Sequence, residues 1–245
     1  MNILVCITHV PDTTSRIAFT NDNTEFDKNG VQFIIGPYDD YALARAVELK
    51  EQNGGKITVL NVGEADSDPT IRKALAIGAD EAIRVNAFPS DSFFVANQIA
   101  EVAKQGEYDL ILMGRESIDF NGGMVHGMVG ELLGLPSFSP VMQLDIEGGS
   151  AKLTREIEGG KEKLEVALPF VAGCQEPIAE WKIPNMRGIM SARTKPLNVV
   201  EPSDNTAHTS ISAYELPPAK GAVRMINADN VQELVDLLKN EAKVI

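Results

Sequence analysis

The 245-residue chain carries 35 Asp and Glu against 22 Lys and Arg, a formal net charge of −13. Recognition of a polyanion rests on clustered Lys and Arg that displace counterions, so this balance argues against nucleic acid and anionic membrane surfaces as partners. With 44% hydrophobic and 23% charged residues, the composition is that of an ordinary globular protein, long enough for one large core or a core with an appended arm.

The opening MNILVCITHVPD has no basic region before its short apolar run and no small-residue cleavage site. No segment approaches the roughly 18 apolar residues that cross a bilayer, so a cytoplasmic location without membrane insertion is expected. Ile3 to Thr8 reads as a buried strand, followed by a polar stretch rich in Asn, Asp and Thr. From Asp39 the apolar positions Ala42, Leu43, Ala46, Val47 and Leu49 recur at three and four until Asn53-Gly54-Gly55, which marks a helix and its stop. Lys56 to Val62 is the next strand. A second helix starts at Asp68-Pro69, runs through Ile71, Ala74, Leu75 and Ile77, and ends at Gly78.

EAIRV is a short strand, and Asp91 or Ser92 caps a helix carrying Phe93, Ala96, Ile99, Ala100 and Ala103. YDLILMG closes the series. Such unalternating strands are buried on both faces, which predicts an α/β fold: a mostly parallel, Rossmann-like sheet with helices on both faces. Open sheets of this kind bind ligands at the carboxyl ends of their strands, so the turns after Thr8, Val62 and Met113 are where a site belongs.

The last of these turns opens GRESIDFNGGMVHGMVGELLGLP, residues 114 to 136. Asp119 and Asn121 can tie their side chains to nearby backbone N–H groups, and Gly122-Gly123 lets the backbone approach a ligand closely. Gly123, Gly127, Gly130 and Gly134 recur at i, i+4, i+7 and i+11. On a helix that is one bare face, costing up to about 1 kcal/mol per glycine relative to alanine. Close packing and a bound nucleotide are both open as its reason.

After Pro136 the rhythm changes. SAKLTREIEGGKEKLEVALPFVAG reads as a β-hairpin turning at Glu158-Gly159-Gly160. EWKIPNMRGIMSARTKPLNVVEP, broken by Pro184, Gly188, Pro196 and Pro202, reads as an extended arm rather than a core element. Residues 203 to 218 are polar and irregular. A terminal amphipathic helix places Val231, Leu234, Leu237 and Leu238 on one face. A core over 1–187 and a C-terminal arm over 188–245 are thus expected, and so long an irregular tail suggests packing on something else.

Reaction chemistry is sparse. His9, His126 and His208 lie far apart with no nucleophile beside them and read as structural or surface residues. The GxSxG, Walker and GxGxxG signatures are missing, as are the CxxC and HExxH spacings of metal sites. Cys6 and Cys174 lie in apolar runs and read as buried free thiols. Asp39 and Asp40 are most simply charges that suit a helix N-terminus. No enzyme centre and no metal site are expected.

Six segments in order nevertheless resemble the β subunit of electron transfer flavoproteins: ITHVPDTT, GPYDDYALARAVELKE, VLNVG, IRKALAIGADEAIRV, the 114–136 stretch, and LTREIEGGKEKLEVALPFVAG followed by IPNMRGIMSARTKP. The resemblance spans about residues 2 to 202. It implies an adenine nucleotide α-hydrolase-like sheet and an electron carrier rather than a free-standing enzyme. The partner would be an α subunit that holds most of the FAD contacts. Electrons would pass between acyl-CoA or other flavin dehydrogenases and a downstream acceptor, with a structural AMP in the β subunit and the C-terminal arm wrapped onto the α subunit.

Carried over by position, the resemblance implies that Cys6, Pro37, Tyr38, Val62, Gly114 and Ser117, Ile118, Asp119, Phe120, Asn121, Gly122 and Gly123 line the AMP pocket. Met124 and Val125 follow as further cofactor-binding positions, and Thr13 and Tyr38 fall where members approach the flavin ring. Met186 matches the recognition-loop leucine that anchors the dehydrogenase, with Ile189 and Met190 beside it. Where many members have Gln, a Thr or Val, and Gly gripping the phosphate, this chain has Met124, Val125 and His126. That leaves backbone N–H groups and the helix terminus, with His126 as one further donor that carries charge at lower pH. Ser191 and Arg193 stand where two lysines are usual.

Two alternatives stay open. VPDTT resembles the branch whose β subunit holds a second FAD and bifurcates electrons, although DFNGGMVHG matches that branch's loop poorly. A stand-alone ATP- or AMP-binding protein of the universal-stress type would share the sheet, but its glycine-rich phosphate loop is missing.

Overall fold

A computed structural model of the protein describes residues 1–203 and 207–245. Residues 204–206, part of the expected irregular stretch, lie outside them. The chain opens with β1 (Asn2–Cys6), whose side chains alternate between two cores: Ile3 and Val5 face one, Leu4 and Cys6 the other. The polar stretch after it makes four short strands, β2 (His9–Pro11), β3 (Phe19–Thr20), β4 (Glu25–Phe26) and β5 (Phe33–Ile35), paired β2 with β5 and β3 with β4.

Helix α1 (Pro37–Asn53) begins on a proline and ends at Gly54, whose φ of 69° few other residues adopt. Then come β6 (Lys56–Gly63), α2 (Asp68–Ile77), β7 (Glu81–Asn86), α3 (Ser92–Lys104), β8 (Leu110–Gly114) and α4 (Val125–Leu133). The expected α/β alternation is present in order. Asp91 is the cap of α3, its Oδ1 accepting from Phe94 N at 2.7 Å.

The second half departs from expectation in two places. The run from Ser137 is a long strand, β9 (Ser137–Glu147), which pairs antiparallel with β10 (Ser150–Ile157), itself paired with β11 (Gly160–Ala167). The expected hairpin is β10 and β11. The PFVAG end of that segment is a separate strand, β12 (Phe170–Cys174), fully buried and inserted between β8 and β9. The stretch read as an extended arm also folds: α5 (Met186–Ala192) packs on α2, and β13 (Leu197–Val200) pairs in parallel with β7. The prolines that suggested an arm fall between elements, at 184, 196 and 202, where they delimit helix and strand rather than break them. The terminal helix α6 (Val231–Asp236) continues into a wider turn over Leu237–Glu241.

One nine-stranded sheet results, in the order β11-β10-β9-β12-β8-β1-β6-β7-β13. Its parallel part runs from β9 to β13, with α1, α2 and, through Ala192, α5 packed on one face and α3 and α4 on the other. The chain passes from β1 outward through β6 to β7, then returns to place β8 on the opposite side of β1. The carboxyl ends of β1 and β8 therefore flank a topological switch point. Among the described residues no helix is long and apolar enough to cross a membrane.

Candidate functional site

A cleft of about 860 Å³ opens at that switch point. Its floor is apolar because the strand ends point Cys6, Leu60, Val62 and Met113 into it, with Val95 and Ile99 of α3 along one wall. Cys6 is buried, and burial pushes its thiol far above the usual range, so it serves as floor rather than nucleophile.

The two strands flanking the switch point are tied by one carboxylate. Asp39, in the first turn of α1, is 4% exposed. Its Oδ2 accepts from Thr8 N at 2.8 Å and Thr8 Oγ1 at 2.6 Å, and its Oδ1 accepts from Gly114 N at 2.8 Å. Burial pushes its pKa up to about 6, against the downward pull of those three bonds. Asp40 is likewise pushed up to about 6 by burial, with Lys73 at 3.9 Å. The reading of both as helix-terminus charges omitted this bridging role of Asp39, whose partners lie 31 and 75 residues away.

The loop after β8 forms one rim. Ser117 N donates to Gly122 O at 3.1 Å and Gly122 N returns to Ser117 O at 3.2 Å, which closes a tight turn. Asp119 stabilises it by accepting from the Ser117 hydroxyl and from Phe120 N. Asn121 contributes through its left-handed backbone, φ 50°. Helix α4 then starts at Met124 with no side chain capping it. Its first N–H groups, Val125 to Gly127, have no intrahelical partner and present partial positive charge.

The glycines of this stretch do not form one bare face. Gly130 meets Ser137 so closely that a Cβ would lie 2.8 Å from the Ser137 Cβ, which is packing. Gly134 takes φ 65° as the residue that ends α4. Gly127 has open space around it, and Gly123 precedes the helix. His126 lies over the backbone of Gly173 in β12. Its Nδ1 is buried without a partner, and burial lowers its pKa, so the ring is neutral near pH 7 and offers a hydrogen bond rather than a charge.

The opposite rim comes from segments with no strong sequence signal. His9 stacks on Phe33 with ring centroids 4.4 Å apart and bonds Thr70 Oγ1 at 2.8 Å. Residues 207–214 cross the mouth as a strap. Asp91 Oδ2 accepts from His208 N at 2.6 Å and Thr209 N at 2.8 Å, and Tyr214 stacks on Phe19 at 4.8 Å. Thr209, Ile211 and Tyr214 line the cleft, none of them marked by the sequence beyond a polar, irregular stretch.

Of the residues singled out from the sequence, Cys6, Thr13, Val62, Gly114, Ser117, Ile118, Asp119, Phe120, Gly122 and Val125 come together around this one cleft. Asn121, Gly123 and Met124 sit in the same loop without lining it, Met124 being 57% exposed. Pro37 and Tyr38 start α1 beside the cleft. The Tyr38 ring is covered by the Arg115 guanidinium, 4.7 Å from its centroid, and its hydroxyl accepts from Arg115 Nη2 at 3.1 Å. Met186, Ile189 and Met190 lie elsewhere, on α5, exposed at 73%, 40% and 68%, and Trp181 and Ile183 shortly before them in the chain are exposed as well. Among the described residues no group of three or more His, Cys, Asp or Glu is placed to hold a metal ion.

Residues 24–205 match the family model described as electron transfer flavoprotein domain. The chain is 35% identical, over 259 aligned residues covering all of both chains, to the electron transfer flavoprotein subunit beta of Bacillus subtilis. It is 30% identical to that of Homo sapiens, covering 100% of this chain and 99% of the relative. It is also 30% identical to subunit CarD of the caffeyl-CoA reductase-Etf complex of Acetobacterium woodii, covering 99% and 98%.

Proposed function

The chain belongs to the electron transfer flavoprotein family, and we propose that it is the β half of a heterodimeric electron carrier working with flavin dehydrogenases such as acyl-CoA dehydrogenase. The observation that carries this reading is the C-terminal segment. Val223 and Met225 are 80% and 85% exposed, Val231, Leu234 and Val235 are exposed along α6, and no residue of that helix is buried. A run of large apolar side chains left in water marks a surface made for another chain. An α subunit that contributes most of the FAD contacts and takes up this segment accounts for it. Bound FAD supplies the redox chemistry; the residues of this chain bind, orient and exclude water.

The cleft fits the adenosine part of a nucleotide better than its phosphate. Its apolar floor and the tight turn at 117–122 suit a base and ribose, and the uncapped start of α4 gives N–H donors for an anion. Seven carboxylates line it, however: Asp12, Asp39, Glu64, Asp66, Asp91, Glu116 and Asp119. The two lining cations are already engaged, Lys28 with Asp66 at 2.9 Å and Arg115 with Gln175, Glu116 and Tyr38. A phosphate here rests on uncharged donors, namely backbone N–H groups, His126 and lining hydroxyls such as Thr13, Ser15 and Ser210, rather than on a cation. The preferred reading is therefore a single-FAD carrier whose cleft holds AMP weakly. A second FAD is the alternative that the cleft volume favours, since it lies near the top of the roughly 300–1,000 Å³ range of small-molecule sites.

Denaturing the purified αβ complex and quantifying the released nucleotides separates these readings. One FAD with less than one AMP per heterodimer is expected. Two FAD would replace the reading with the bifurcating one, and FAD with no adenine mononucleotide at all would remove the AMP from it.

A further inference from the structure

The apolar patch of α5 projects from a helix of only 7 residues, too short to keep its shape by its own hydrogen bonds. Two cations hold it. Arg72, on α2, donates from Nη1 to Ala192 O at 2.8 Å and to Lys195 O at 2.7 Å, the carbonyls at the end of α5 and just beyond it. Lys195 in turn sends its Nζ back to Leu75 O at 2.8 Å and Ala79 O at 2.5 Å, in the last turn of α2 and its exit. Each helix thus has its C-terminal end capped by a positive side chain from the other segment, where the helix dipole favours a cation.

Two further contacts leave α5 little room to move. A Cβ on Gly188 would overlap Ala76 O, so the two backbones touch there, and Ala192 is 3% exposed in the core. Asn185 closes the other end of α5 by accepting from Gly188 N at 2.8 Å. Met186 and Met190 nevertheless stay 73% and 68% exposed. The helix is fixed while its apolar side chains are held out to solvent.

The geometry points to Arg72 and Lys195 as positioning residues for partner docking: their reciprocal caps present Met186 and Met190 as a preformed apolar surface for a flavin dehydrogenase. This rests on the reading of that patch as the dehydrogenase contact. Presetting the patch lowers the ordering cost of association, so its loss appears in affinity and not in the electron-transfer step.

The test uses the αβ complex with an acyl-CoA dehydrogenase that reduces the wild-type carrier. Arg72→Ala is expected to raise the KM for the carrier roughly tenfold, with kcat within about twofold and FAD content unchanged. Arg72→Lys, which keeps a charge able to reach one of the two carbonyls, should recover part of the loss. Hydrogen exchange at the amides of residues 189–194 should quicken in Arg72→Ala. Met186→Ala, the control for the patch itself, should also raise KM. If Met186→Ala raises KM while Arg72→Ala speeds exchange and leaves KM unchanged, the caps are only structural and the proposal is overturned. If neither variant changes KM, the reading of the patch fails and the positioning role falls with it. Should Arg72→Ala not fold, Lys195→Met removes the other cap under the same expectations.

Discussion

Asp39→Asn is expected to lower the thermal midpoint of the purified protein at pH 5 by roughly 4 to 16 °C and to loosen the floor of the cleft. Asp39 offers an oxygen to each side of the switch point, one to Thr8 and one to Gly114. Asn offers one oxygen and one NH2, so a backbone N–H is left facing another donor whichever way the amide turns. At pH 5, where Asp39 carries its proton and no charge cost offsets the change, the lost hydrogen bond is worth about 0.5–1.5 kcal/mol and the buried donor left unmatched roughly a further 1–3 kcal/mol, so a loss of about 2–4 kcal/mol follows. At about 2–4 °C per kcal/mol for a chain of this size, that sets the range in temperature.

The same residue predicts an unusual pH dependence. Its folded pKa of about 6 lies above the ordinary 3.8 of an aspartate because burial disfavours the charge, so the folded chain takes up the proton first as pH falls. Stability contributed at this position therefore rises as pH drops through about 6, the reverse of a salt-bridged carboxylate, and the charge cost of about 3 kcal/mol is fully present only above it. Melts of wild type and Asp39→Asn at pH 7.5 and pH 5 should show the wild type gaining about 1 kcal/mol on the variant at the lower pH. A gap that stays constant or narrows would mean that the three hydrogen bonds outweigh burial and Asp39 titrates in the ordinary range.

Much of the sheet was legible because its strands announce themselves one by one. Ile3 to Thr8, Lys56 to Val62 and YDLILMG are apolar runs between helical periods, and each sits where the alternation put it. What did not show was how the later strands order themselves. Phe170–Cys174 looks like the tail of a hairpin in sequence, yet it lies between β8 and β9, and local periodicity does not encode that neighbour choice. Leu197–Val200 was hidden by flanking prolines, which mark ends of elements as readily as absence of structure. The site divides the same way. The loop at 114–123 was visible through its glycines and its place after a strand, whereas Asp39 and the strap at 207–214 work through partners roughly 30 to 120 residues away that no local pattern reveals.

Removing residues 223–245 is expected to abolish stable pairing with the α subunit while leaving the nine-stranded sheet intact. That segment contributes no strand to the sheet, and no residue of α6 is buried within this chain. The internal ties it makes, Arg224 to Glu233 and to Glu241 at 3.4 Å each, are exposed ion pairs of small worth. Its apolar residues Val231, Leu234, Val235 and Leu238 follow the i, i+3, i+4, i+7 spacing of one helical face. Fully burying each of them against a partner contributes about 1.5–3 kcal/mol, so losing the set outweighs the cost of ordering the segment. A single Leu234→Asp, in the middle of that face, puts a charge where the partner should be and is expected to weaken pairing by roughly a hundredfold or more. Gel filtration of the co-expressed subunits reads both changes directly. The truncated chain should elute apart from the α subunit, with far-ultraviolet circular dichroism still showing its α/β content. Co-elution of the truncated chain with the α subunit at unchanged stoichiometry would place the main contact on another face of this protein.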